Sequence, residues 1–238
     1  MTNKLLALGE PDFAQFMAGQ WKMHTKQPQV VQDELRKLQV TTLSESELIE
    51  VGALACHVHG EHLGDWAAGV AYIESLATSR RTISDATRQR LWRQRAILLK
   101  ASHDICDLEI LDAADRFHVL TLATPAAVLM GDPTYAATIY TEALALLALF
   151  ADVSEPERLF GVMTANLTCD LIERPDLLPQ QQSILLTLAE KSYAIWQRIG
   201  DEKDKDKAWF RLTQSYIAAR KPVGYGSGRY ARSSNIAS

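Results

Sequence analysis

Gly131-Asp132-Pro133-Thr134-Tyr135-Ala136-Ala137-Thr138-Ile139-Tyr140-Thr141-Glu142-Ala143-Leu144-Ala145-Leu146-Leu147 is the stretch whose reading decides the fold. Gly131 breaks one apolar helix, and Asp132 with Pro133 suits the first turn of the next. Ala136, Tyr140, Ala143 and Leu147 then recur at intervals of three and four, which places them on one helix face. Before the turn, Leu120, Ala123, Thr124 and Ala127 do the same. Small residues let two helices cross closely, and the large ones fill the holes beside them. The segment therefore reads as an antiparallel helix hairpin.

An earlier stretch has the same form. Gly64-Asp65-Trp66 is followed by Gly69, Ile73 and Leu76, and preceded by Ala53, Cys56, His57 and Gly60. The two turns lie 67 residues apart, about twice the ~34-residue period of a tetratricopeptide repeat. A third trace is Ala189, Tyr193 and Trp196, then Gly200-Asp201, Ala208-Trp209, Leu212 and Tyr216. Between the first two copies, Trp92, Ala96 and Leu99 are suitably placed but no turn glycine follows. On these residues the chain resembles the tetratricopeptide repeat family, with degenerate copies over about 50–220. The same residues also fit a non-repetitive helical bundle.

The resemblance implies an all-α, right-handed solenoid of stacked hairpins. It also implies an inner groove that holds a peptide or a partner helix. Carried over by register, that groove is lined by Leu54, Val58, Glu61 and His62 in the first copy. Thr121, Pro125, Val128 and Leu129 line it in the second, and Phe210, Gln214 and Ile217 in the last. The expected role is a non-enzymatic protein–protein adaptor, without cofactor. A homo-oligomer is compatible with it.

Elsewhere the pattern is helical too. Pro11-Asp12 and Pro28 open two short helices, about 11–24 and 28–40, which cap the array within a region 1–43. Ser44 and Glu47 have capping-box spacing and start the repeat domain, 44–220. Helices are expected over 104–114 and 115–130, among others. After Pro222 the Gly, Ser, Tyr and Arg content predicts a flexible, mildly basic tail over 221–238.

The 238 residues are 47% hydrophobic and 23% charged, with net charge −4, which disfavours nucleic acid or an anionic membrane as a partner of the whole molecule. No apolar run in the sequence approaches the ~18 residues of a membrane span, and the first eight residues are too briefly apolar for a signal peptide. Three separated cysteines, Cys56, Cys106 and Cys169, read as reduced thiols of a cytoplasmic protein.

Three features invite chemistry. In Cys56-His57-Val58-His59-Gly60-Glu61-His62, His57 and His59 fall about 200° apart on an α-helix, so they point to different faces. Only His59 and His62, with Asp65, could then share an ion, so no metal is expected. His57 is expected to pack in the hairpin and the other two to face solvent. Residues 80–100 hold seven basic side chains against one acid, with Arg81, Arg88 and Arg95 in one stripe. Five acids and no Lys or Arg follow over 103–115. The expected result is a self-neutralising antiparallel helix pair; the rival is a nucleic-acid regulator acting through Arg88 and Arg95. Gly224 to Gly228 follows no strand and lacks the Lys-Ser/Thr ending of a phosphate loop. A helical enzyme or small-ligand-binding protein with an internal apolar pocket stays open as the other functional class.

Overall fold

The computed structural model describes residues 10–79, 82–150 and 154–220. The tail 221–238, Arg80 and Arg81 lie outside the described residues. The protein is all-α. Its helices are α1 (Glu10–Met23), α2 (Pro28–Arg36), α3 (Glu45–His57), α4 (Trp66–Thr78), α5 (Asp85–Ala101), α6 (Ala113–Met130) and α7 (Pro133–Leu147), then α8 (Ser154–Glu173), α9 (Pro179–Ile199) and α10 (Glu202–Ala219). Short 3₁₀ turns cover Val40–Thr42 and Ala148–Phe150, and a π-helical turn covers Val58–Leu63. The described residues form two compact units, divided between Met163 and Thr164, within α8.

Local chemistry sets the helix starts. Ser44 Oγ accepts from Glu47 N while Glu47 Oε2 accepts from Ser44 N, the expected capping box. Asp65, Ser84, Asp112, Asp132 and Asp201 cap α4, α5, α6, α7 and α10 in the same sense, each accepting a backbone N–H of the first turn. The π turn ends at Gly64, whose φ of 62° is left-handed and suits a residue without Cβ.

Unit 1 is built around α6. Phe117, Val119, Leu120, Ala123, Ala126, Ala127 and Val128 are all buried, so apolar residues occupy every side of this helix. It packs against α5, α7 and the π turn, while α4 packs against α3 and α5. Gly69 of α4 meets this packing at its tightest point. A Cβ there would stand 2.7 Å from both His59 Cβ and Leu98 Cδ1. The small residue read from the sequence is therefore required by a close crossing. The segment Pro133–Phe150 is long and apolar enough on average to cross a membrane, contrary to the sequence expectation. Its buried face, Ala136, Ile139, Tyr140, Ala143 and Leu147, belongs to α7, which packs against α6.

In unit 2, α9 and α10 pack together as a hairpin across Gly200-Asp201. Tyr216 Oη donates to Glu190 Oε1 across the pair at 2.6 Å. Trp209, Phe210 and Ile217 stay exposed at 60, 56 and 61%.

Two expectations fail here. Residues 104–112 form no helix. Asp107 Oδ1 takes the N–H of Glu109 and so competes with a helical backbone bond, while Asp104 Oδ2 accepts from Ser102 Oγ. The self-neutralising helix pair fails with that helix. The basic face of α5 is neutralised by several elements instead: Arg95 pairs with Glu74 of α4, Arg93 with Asp115 of α6, and Lys100 lies 3.9 Å from Glu142 of α7. Arg88 lies 3.8 Å from Asp85.

Candidate functional site

The groove assigned by register is not an open surface. Leu54, Val58, Thr121 and Val128 are completely buried, and Leu129 nearly so. They belong to the core of unit 1, where α3 packs against α5, and α6 against α5, α7 and the π turn. Glu61 and His62 are half-buried in unit 1, whereas Phe210 is exposed and Gln214 half-buried in unit 2.

What the structure assembles is a histidine cluster. In an ordinary α-helix, residues five apart lie about 140° apart around the axis. From Val58 the helix widens to i→i+5 bonding. That wider turn carries His62 round to the face of His57, and their Nε2 atoms lie 3.2 Å apart. His24, just beyond the end of α1, completes the group. Its ring centroid is 4.8 Å from that of His57 and 5.1 Å from that of His62. One ring nitrogen from each of the three lies within 4.8 Å of the others.

The cluster has an outer layer. His57 Nδ1 meets Glu61 Oε1 at 2.7 Å. The Nδ1 of His24 bonds the carbonyl of Trp21. The Trp21 ring stands 5.5 Å from His57 and 5.3 Å from His24. Burial, then the neighbouring His57 and His24, push the His62 pKa down to about 4. Burial likewise lowers that of His24. The His62 ring is therefore neutral at pH 7 and keeps a lone pair.

His59 takes no part, although α-helical spacing left His59 and His62 as the histidines able to share an ion. It is buried on another side of the turn, where its Nδ1 bonds the carbonyl of Asp65 at 3.2 Å and Gln32 Nε2 approaches its Nε2 at 3.4 Å. Asp65 itself caps α4. The expected solvated His59 and His62 are therefore one core side chain and one cluster member. Sequence reasoning missed His24, because nothing local links it to a helix some thirty residues later. The only local trace was Trp21 and His24 at i and i+3 near a helix end.

Beside the cluster lies a cavity of about 330 Å³. Trp21, Ala53, Ile97, Leu122 and Ala126 make its apolar wall, with His57, Glu61, Gln94 and His118 along a polar edge. Burial lowers the His118 pKa, ahead of the repulsion from Arg93. The site thus combines an apolar recess, imidazole nitrogens and one carboxylate. No family model, no curated protein and no solved structure matches the chain.

Proposed function

We propose that the protein binds a small, mainly apolar molecule with a hydrogen-bonding head in the cavity beside the histidine cluster. The observation that carries this reading is the cavity itself. Its volume, about 330 Å³, falls within the ~300–1,000 Å³ range of small-molecule sites. Its lining is the mixture such sites use, a mostly apolar wall with a few polar groups at one edge. The role is that of a binding protein and not of an enzyme. Three free thiols support a reducing, cytoplasmic setting.

Leu122 is half-exposed on the cavity wall, so a larger ring there fills the recess without disturbing the core behind it. Leu122→Trp is expected to weaken binding of the fluorophore 1-anilinonaphthalene-8-sulfonate at least tenfold, with an unchanged far-ultraviolet circular dichroism spectrum. Equal affinity in both proteins would remove the cavity as the binding site.

The tetratricopeptide-like array, with its adaptor role, is the second reading, and unit 2 supports it. Its α9–α10 hairpin leaves Trp209, Phe210 and Ile217 exposed along α10. Repeat hairpins bury such a face against another hairpin of the same kind. The occupant on this reading is a second copy of the chain. Sedimentation should then show a dimer that Trp209→Glu with Phe210→Glu converts to a monomer. A monomeric wild type at high concentration counts against it.

A further inference from the structure

We propose that His24, His57 and His62 bind one divalent transition-metal ion of the zinc class, leaving one coordination position open. Two observations converge on it. The first is donor geometry. Two nitrogens at ~2.0–2.1 Å from a tetrahedral zinc ion stand roughly 3.3 Å apart. His57 Nε2 and His62 Nε2 are 3.2 Å apart, and the His24 ring closes the third corner. Three imidazoles with a vacant fourth position form a known type of open zinc site.

The second observation is the outer layer. A metal-bound imidazole usually donates its remote N–H to a carboxylate or a carbonyl, which fixes ring orientation and tautomer. His57 has Glu61 in that place and His24 has the carbonyl of Trp21. Both contacts put the proton on Nδ1 and the lone pair on Nε2. With His57 Nε2 an acceptor, a proton on His62 Nε2 bridges the pair in the metal-free protein. Metal binding replaces this bridge, and the proton moves to His62 Nδ1.

Glu61, half-buried beside His57, holds its carboxylate against that ring. Imidazole donors suit Zn²⁺, Co²⁺, Ni²⁺ and Cu²⁺ over the hard ions Mg²⁺ and Ca²⁺. Glu61 is a positioning residue in this site and touches no metal.

The test uses the full chain without an affinity tag, stripped with chelator and titrated at pH 7.5 with Co²⁺ and then Zn²⁺. The expected result is one equivalent of Co²⁺ giving the intense visible bands of a four-coordinate complex, which Zn²⁺ displaces. His24→Gln lies in a half-exposed turn after α1, where folding tolerates it. It should weaken Co²⁺ binding more than a hundredfold, while Glu61→Gln should weaken it by the ~10–100-fold of a lost outer-layer partner. Only pale octahedral Co²⁺ spectra, or equal affinity in His24→Gln and in the wild type, would overturn the proposal. No organic ligand is added, so failure here leaves the cavity reading standing, and failure of the cavity reading leaves this result unaffected.

Discussion

Phe117→Ala is expected to lower the unfolding free energy of unit 1 by about 3–5 kcal/mol, the usual cost of removing a buried phenylalanine ring. Phe117 sits in the first turns of α6 and is almost fully buried. Its ring centroid lies 5.7 Å from Phe150 and 6.2 Å from Phe160. Phe160 in turn lies 5.5 Å from Tyr140. The ring thus joins α6 to the 3₁₀ turn after α7 and to α8, and through Phe160 it reaches Tyr140 of α7. Its loss leaves a cavity ringed by aromatic groups too rigid to collapse into it. Urea unfolding followed by circular dichroism measures the change. A loss below 1 kcal/mol would mean that this aromatic group does not hold the unit together.

Asp115→Ala is expected to cost about 2–4 kcal/mol. Asp115 is buried and receives Gln89 Nε2 at 2.6 Å as well as the Arg93 guanidinium. Alanine leaves Arg93, whose side chain is only 23% exposed, without its carboxylate. Breaking a fully buried pair costs ~3–5 kcal/mol, and the residual solvent contact of Arg93 brings the figure down. The double variant Arg93→Met, Asp115→Ala removes the stranded charge. A double-mutant cycle should therefore show coupling of more than about 1 kcal/mol. Additive losses would reduce the pair to an ordinary surface contact.

These elements differ in how openly the sequence displays them. Ser44 with Glu47, Gly64, and Asp132-Pro133 act within one helical turn, so their neighbours in sequence are their partners in space. Helix starts and stops were readable for that reason. Gly69 and Ala136 were readable as close-crossing positions by their small size and spacing. Residues 104–112 misled because their acids suit a helix surface by period, yet Asp107 takes a local backbone N–H and Asp104 the Ser102 hydroxyl instead. The supposed groove failed at Leu54 and Val128 because periodicity shows that a face is apolar and not what covers it. The histidine cluster was hidden twice: His24 arrives through tertiary packing, and His62 through a change in helical winding that leaves composition untouched.

That change of winding also divides one rod between two sets of neighbours. Ahead of it, α3 engages α5: Gln94 Nε2 bonds the carbonyl of Ile49, and Cys56 Sγ meets the carbonyl of Gln94 at 3.4 Å. The π turn itself engages α2 through Gln32 and His59, and it packs on α6. The wide turn acts as a gear change, carrying the last residues of the rod round to a second set of neighbours. Alanine scanning would not detect it, since no single side chain creates it. Deleting one residue between Val58 and Leu63 would, because everything behind the deletion would turn back to face the wrong neighbour.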